Sequence, residues 1–206
     1  MTLKQSYGHL HRALDSSLAE LSFRREDEGH YSSAVSDGLS HQIRFPARRA
    51  QDGAVLFSLC VSARFDELER LLRPDEPSVT VMVPIHLLQP DRHFYEWPAR
   101  LLEDFPAIAA RVMSDFRQWA LPFYAAHSDL RSLRQHLSVQ PPHYSYAFGP
   151  VQCACVLAAI DHLLGDTAAV LQRLNKLAAD NHGFPPQRWL PYKQLHDTIS
   201  ATTGSA

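Results

Sequence analysis

The chain has 206 residues, of which 45% are hydrophobic and 20% are charged, and its formal net charge is −2 at pH 7. This composition is that of a globular protein with a full core, which needs no disulfide scaffold. The small negative charge argues against general attraction to nucleic acid, and no stretch reaches the roughly 18 apolar residues of a membrane span. The N-terminal residues lack the layout of a secretory signal, so we expect reduced cysteines and a cytoplasmic location.

Two contrasting segments open the chain. Apolar side chains recur every three or four positions over residues 3–21, which predicts an amphipathic helix that covers a sheet. The run of charged residues from Arg24 to Glu28, closed by Gly29, is typical of a solvated turn. We therefore expect the sheet to begin only after this turn.

Alternating segments then predict an antiparallel sheet. Asp37-Gly38 separates residues 30–36 from residues 39–46, and Asp-Gly is a usual hairpin dipeptide because the tight turn needs positive φ. Residues 54–65, AVLFSLCVSARF, alternate over ten positions and give the strongest strand signal in the chain. These three segments predict a meander with one buried face.

A fourth strand is predicted between Val79 and Ile85, where valines and isoleucine again alternate with other residues. Pro84 lies inside it and lacks a backbone N–H, so the strand is expected at an edge of the sheet or broken at the proline.

The rest of the chain is predicted to be mainly helical. A long helical region is interrupted at Leu121-Pro122 and restarts after Ser128, which is a suitable N-cap. Residues 138–150 are rich in proline, tyrosine and serine and predict a linker. Beyond it, Gly165-Asp166 joins two helices, residues 151–164 and 167–179, into a hairpin, and a short last helix is expected around residues 192–199.

These elements predict an α+β fold. It consists of an antiparallel four-stranded, meander-type sheet packed by helices, followed by a small C-terminal helical subdomain. We expect residues 1–140 to form the sheet-and-helix domain and residues 141–206 to form a helical hairpin packed on it.

One face of the predicted sheet is polar and carries arginine, which suits bidentate recognition of carboxylate or phosphate groups. If it is exposed, it is a binding surface for a protein partner; the alternative is that the C-terminal helices cover it. The candidate binding residues on this face are His30, Gln42, Arg44, Ser58, Ser62, Arg64 and His86.

Metal and catalytic motifs are not found in the sequence. His9 and His11 are two positions apart on a helix and diverge by about 200°, and Cys153 and Cys155 diverge in the same way. There is no nucleophile elbow, phosphate-binding loop or dinucleotide fingerprint. We therefore expect no metal, no cofactor and no catalytic residue.

Two segments carry a resemblance to a known family. They are AELSFRRE at residues 19–26 and QWALPFYAAHSDLRSLRQHL at residues 118–137, with the meander between them. In this order they resemble a bacterial family of uncharacterised α+β domains that has an Ala-Leu-Pro-Phe break in a helix. Family members tend to have glycine where this chain has Ser22. The resemblance implies an accessory or immunity-type protein and supplies no catalytic residue.

The sequence thus predicts a non-enzymatic protein-binding protein, of the kind that inhibits a bacterial toxin or effector by occluding it. A rigid surface with an arginine or aromatic anchor would supply the contact. The alternative is an enzyme or a nucleic-acid-processing accessory with a His and Arg site between the sheet and the helical subdomain.

Overall fold

The computed structural model describes residues 2–72, 80–139, 149–180 and 195–199. Within these residues the fold is α+β, as predicted, with seven helices, a five-stranded antiparallel sheet and a smaller three-stranded sheet. Contacts divide the chain into two units, one of residues 1–64 and 81–125 and the other of residues 65–80 and 126–206. Most of the predicted linker at 138–150 lies outside the described residues.

The helices and strands follow one another along the chain with these bounds. The helices are α1 (Leu3–Glu20), α2 (Asp66–Leu72), α3 (Asp104–Asp115), α4 (Leu121–Ala126), α5 (Leu130–Ser138), α6 (Pro150–Leu163) and α7 (Thr167–Asp180). The strands are β1 (Arg24–Asp27), β2 (His30–Ser36), β3 (Leu39–Arg44), β4 (Ala47–Arg49), β5 (Val55–Phe57), β6 (Cys60–Phe65), β7 (Val81–Pro84) and β8 (Trp97–Ala99). A 3₁₀ turn spans Ile85–Leu88, and a π-helical turn spans Phe116–Ala120.

Helix α1 confirms the predicted amphipathic helix. Thr2 and Gln5 form a reciprocal capping box at its start, and its inward leucines, among them Leu10 and Leu14, are completely buried. At its end, the N–H of Ser22 donates to Ala19 and the N–H of Phe23 donates to Leu18, which is a Schellman motif. Ser22 has φ +65°, so a serine adopts the left-handed conformation that glycine favours.

The main sheet has the strand order β1-β2-β3-β6-β7. Its β2–β3 hairpin confirms the prediction, because Gly38 has φ +76° in the turn between the strands. The expectation of a solvated turn at residues 24–29 is wrong, since β1 pairs with β2 and adds a fifth strand. All four residues of β1 are exposed, so the edge of the sheet is protected by charge rather than by burial.

The segment predicted as one long strand, residues 54–65, is two strands in two sheets. β5 pairs with β4 and β8 in the small sheet, whereas β6 pairs with β7 in the main sheet. The chain changes sheets at Ser58, whose N–H donates to the carbonyl of Pro46 at 2.9 Å. The predicted alternation nevertheless persists across the break, because Phe57, Leu59 and Val61 are all buried.

Pro122 does not interrupt the helix as expected. The helical path runs from α3 through the π-helical turn into α4, and the N–H of Leu121 reaches back five residues to the carbonyl of Phe116. A proline lacks the N–H for an α-helical bond and crowds the carbonyl four residues earlier. The wider turn just before Pro122 accommodates both effects, so the chain remains helical.

The second unit is helical where it is described. Helices α6 and α7 form the predicted hairpin, with Gly165 at φ +77° between them. The N-cap of α5 is Asp129 rather than the predicted Ser128, since the Asp129 carboxylate accepts the N–H of Ser132 at 2.8 Å. The predicted last helix is described only over residues 195–199, which are helical.

Candidate functional site

The predicted polar face lies mainly on three neighbouring strands of the main sheet. His30 of β2 and Arg44 of β3 are direct partners in the antiparallel register, and Gln42 lies two residues before Arg44 on the same strand. Ser62 and Arg64 lie on β6, which is the strand next to β3. Five of the seven candidate residues therefore belong to one sheet.

Ser58 and His86 are not part of this sheet. Ser58 lies at the break between β5 and β6, and His86 lies in the 3₁₀ turn, where its ring meets the edge of Phe94 with centroids 5.0 Å apart. Their predicted place on the sheet face is wrong, because Ser58 lies between β5 and β6 and His86 lies beyond the end of β7.

Burial separates the five residues that do share the sheet. Gln42 is 7% exposed and Ser62 is 1% exposed, whereas Arg44 is exposed and His30 is half-buried. Gln42 Oε1 and Ser62 Oγ have no hydrogen-bond partner within the described residues. Arg64 is half-buried as His30 is, so the most accessible part of the predicted face is its Arg44 end.

Cys60 lies on β6 near this end and does not supply a nucleophile. Burial raises the pKa of its thiol to about 11, and the positive charge of Arg44 lowers it by less. Because the thiolate is the reactive form, the thiol at neutral pH is protonated and unreactive.

A second polar group, missed in the sequence, joins α1 to the sheet. The N–H of Gly29 donates to His11 Nε2 at 3.1 Å, and His11 Nδ1 lies 2.6 Å from the Tyr31 hydroxyl. That hydroxyl donates to the Asp15 carboxylate at 2.7 Å, and Arg25 lies 3.4 Å from the other carboxylate oxygen. We call this chain of contacts the His11 network.

The His11 network is closed by internal partners. His11 is 3% exposed and Tyr31 is 1% exposed, so neither polar atom faces solvent. Burial and the neighbouring Asp15 raise the pKa of the Tyr31 hydroxyl. The hydroxyl therefore stays protonated and donates its hydrogen bond to the Asp15 carboxylate. The burial of His11 is indicated in the sequence by its position on the helix, since it shares an inward stripe with Leu14 and Leu18.

A third group is an exposed apolar pair at the start of α3. Leu101 and Leu102 are each 57% exposed. The Asp104 carboxylate accepts the backbone N–H groups of Arg100 at 2.7 Å and of Leu101 at 2.8 Å, and the Arg100 guanidinium pairs with Asp52 at 2.6 Å. The Asp104 and Asp52 contacts therefore brace the loop, which presents two leucines to solvent.

The two leucines border an open groove of about 380 Å³. Gln5 and His9 of α1 line one side and residues 100–103 line the other, and we call this the Leu101–Leu102 groove. The His9 ring lies against Phe105 with centroids 5.3 Å apart, and Arg12 donates to His9 Nδ1 at 2.7 Å. His9 on one wall is thus held by Phe105 and Arg12, and Arg100 on the other wall is held by Asp52.

Charge in this groove is not balanced. Arg100 is neutralised by Asp52, whereas Glu103 makes no ion pair within the described residues. The groove therefore combines an apolar rim with one free carboxylate. This groove is not predictable from the sequence, because two leucines beside a helix start are usually buried.

The second unit holds its own ionic cluster. The side chain of Asp161 on α6 is completely buried, and Arg134 of α5 and Arg173 of α7 reach its two oxygens at 2.6 and 2.5 Å. Arg134 also pairs with Asp166 at 2.9 Å. This cluster ties three helices together.

No group of three or more His, Cys, Asp or Glu side chains in the described part of the chain is placed to hold a metal ion. Over the same residues, no helix has both the length and the apolar character needed to cross a membrane. No family model, curated protein or solved structure matches this chain.

Proposed function

We propose that this chain is a non-enzymatic protein-binding protein that uses the Leu101–Leu102 groove as its contact surface. The observation that carries the proposal is the pair of leucines, each 57% exposed, on a loop braced by Asp104 and by the Arg100–Asp52 pair. A braced loop loses little conformational entropy on binding, so most of the free energy of burying the leucines is available for affinity.

The chemistry of the groove points to one kind of partner. The leucines suit a large aliphatic or aromatic side chain, which would enter between them and His9. Glu103 suits a lysine or arginine beside that anchor, because it is the lining charge without an ion pair within the described residues. The proposed partner is therefore a polypeptide with an apolar anchor next to a basic residue.

An immunity-type inhibitor of a toxin or effector is the form of this proposal that the sequence resemblance favours. It would act in the cytoplasm, where the free thiols of Cys60, Cys153 and Cys155 would remain reduced. The Arg44 end of the sheet face is a second proposed contact, suited to an acidic group of the same partner.

The proposal is tested by selecting random peptides displayed on phage against three forms of the protein. The wild type is expected to enrich peptides with a large apolar residue next to Lys or Arg. Glu103→Lys is expected to enrich Asp or Glu in place of the basic residue, because the charge of the groove is reversed. Leu101→Asp with Leu102→Asp is expected to weaken binding of the wild-type peptides by about 30-fold or more, the equivalent of about 2 kcal/mol.

A matched control comes from the second unit. Leu171 on α7 is also 57% exposed, so Leu171→Asp makes the same change to an equally exposed leucine outside the groove. It should leave peptide binding unchanged. The proposal is wrong if the wild type enriches no peptide, or if the Leu101→Asp, Leu102→Asp variant binds the same peptides as tightly as Leu171→Asp does.

The sheet face is tested separately. Arg44→Glu combined with Arg64→Glu reverses the charge of the predicted polar face and leaves the groove intact. If a partner identified through the groove is held equally well by this variant, the Arg44 end takes no part in binding.

A further inference from the structure

The turn between β1 and β2 is fixed to α1 at a single residue. The carbonyl of Gly29 accepts the N–H of Phe45 at 2.7 Å, and its own N–H donates to His11 Nε2 at 3.1 Å. Gly29 has φ +78°, and a Cβ there would lie 2.7 Å from the ring of Tyr7. Tyr7 is itself bonded to the carbonyl of Phe45 at 2.8 Å. His11 thus receives the hydrogen bond that the turn donates to the helix.

The direction of these bonds determines where the proton of His11 lies. A backbone N–H can only donate, so Nε2 must accept and carry no proton. The proton of the neutral ring is then on Nδ1, directed at the Tyr31 oxygen, and the Tyr31 hydroxyl proton is directed at Asp15. A second proton on the ring would have to go to Nε2, where it would face the N–H of Gly29.

We propose that His11 is an acid-sensitive latch, which in its neutral form ties α1 to the β1–β2 turn and in its protonated form releases the turn together with strand β1. The latch is independent of the proposed protein-binding function. It concerns a conformational property of the first unit, and it holds or fails whether or not the groove binds a partner.

Strand β1 is the part of the sheet that release would affect. It is an edge strand that pairs with β2 alone in the sheet order, and all of its four residues are exposed. Its register with β2 shifts between Arg25 and Asp27, so its own ladder is irregular. Apart from its pairing with β2, β1 is held to α1 by the half-exposed Arg25–Asp15 ion pair, so the buried contact of the adjoining turn with His11 is a further tie that release would remove.

The groups around His11 set the pH at which the latch opens. Burial lowers the pKa of His11 below its usual 6.5, and the positive charge of Arg25 lowers it further. The carboxylates of Asp15, Glu28 and Asp27 act in the opposite direction and are outweighed. Tyr7 and Tyr31 are the remaining titratable neighbours, and the pKa of each is raised, so both stay uncharged.

The sign of the pH effect follows from this lowered pKa. Above pH 6.5 His11 is neutral in both the closed and the open form, so the latch has its full strength. As the pH falls below 6.5, the open form takes up a proton and the closed form does not, which favours opening. The equilibrium shifts toward the open form by up to roughly tenfold per pH unit, until the folded-state pKa is reached.

The experiment is amide hydrogen exchange followed by NMR between pH 7.5 and pH 5. In the wild type, the protection factors of Gly29 and of the β1 amides should fall by close to tenfold per pH unit below 6.5, while the amides of Val61 and Val83 in the centre of the sheet keep theirs. His11→Gln keeps an acceptor for Gly29 but has no proton to gain, so its protection factors should not depend on pH. His9→Gln, on the same helix but outside the network, should retain the wild-type slope.

A second measurement needs no variant. The ¹⁵N shifts of the His11 ring in the wild type at pH 7.5 should show Nδ1 protonated and Nε2 unprotonated. The latch is refuted if Nε2 carries the proton at that pH, or if wild type and His11→Gln show the same pH slope in the exchange of Gly29.

Discussion

Arg134 Nε lies 2.6 Å from Oδ1 of Asp161, a carboxylate with no solvent exposure at all. This contact is an ion pair without hydrogen-bond geometry, whereas Arg173 Nε donates a hydrogen bond to the other oxygen. Asp161→Ala leaves two arginines, each about a third exposed, without their shared counter-charge. We expect the free energy of unfolding to fall by about 3 kcal/mol in urea titrations followed by circular dichroism.

Asp166→Asn is the control for this change. It removes the more exposed partner of Arg134 but keeps a side-chain oxygen for the N–H of Ala169 at the start of α7. Its expected cost is much smaller than that of Asp161→Ala, because solvent screens an exposed ion pair. Equal costs for the two variants would mean that burial of Asp161 adds nothing to its ion pairs.

Ser22→Gly is expected to stabilise the protein. Ser22 has φ +65° in the Schellman motif that ends α1, where a side chain costs on the order of 1 kcal/mol relative to glycine. The melting temperature should rise. Ser16→Gly, at an exposed position inside α1, should instead cost about 0.5 kcal/mol, and a loss of stability in both variants would contradict the assignment of strain to Ser22.

Alanine substitutions at Gly53 and Gly29 distinguish the cost of backbone strain from the cost of overpacking. Gly53 has φ +82°, and a Cβ at this residue would have open space around it. A Cβ at Gly29 would lie 2.7 Å from the Tyr7 ring and 3.1 Å from the Phe45 carbonyl. Gly53→Ala should cost about 1 kcal/mol, from the backbone alone. Gly29→Ala should cost about 2 to 4 kcal/mol because overpacking is added. Similar unfolding midpoints for the two variants would rule out the tight contact with Tyr7.

The thiol of Cys60 should be protected from alkylation by its raised pKa as well as by burial. A pKa of about 11, against an ordinary value of 9.0, leaves about 100-fold less thiolate at pH 8. Iodoacetamide labelling of Cys60, located by mass spectrometry, should therefore be at least 100-fold slower in the native protein than in urea. The labelling rate of Cys60 in the native protein should keep rising with pH above 9, whereas the labelling rate in the unfolded chain should level off there. Rapid native labelling at pH 7.5 would contradict the environment described for this thiol.

The parts of the fold that were predictable are those set by local chemistry. The Asp37-Gly38 turn, the apolar stripe of α1 and the alternation of residues 54–65 each reflect neighbours within a few positions. The break of that last segment at Ser58 was not predictable, because a chain can change sheets without changing its period of two. β1 was missed because its side chains are all charged and only its backbone pairing makes it a strand.

The candidate site was less predictable than the fold. Arg44 and His30 are direct partners in the β2–β3 register, which the Asp37-Gly38 hairpin makes predictable. The exposure of Leu101 and Leu102 depends on how Asp104 and Asp52 hold the loop, and no local pattern encodes that. The burial of Ser62 likewise depends on tertiary packing. A small polar side chain can be either buried or exposed, so the sequence pattern does not predict its burial.

The division of the chain into two discontinuous units has a consequence for its synthesis. Helix α2 packs against α6, and Leu68 of α2 is completely buried, yet the whole of the segment from Val81 to Ala125 separates them along the chain. On the ribosome α2 therefore emerges long before its partner exists, and the last segment of the first unit is synthesised in between. An incomplete chain that ends near Ala125 would leave α2 without α6, so premature termination should yield a product that chaperones retain.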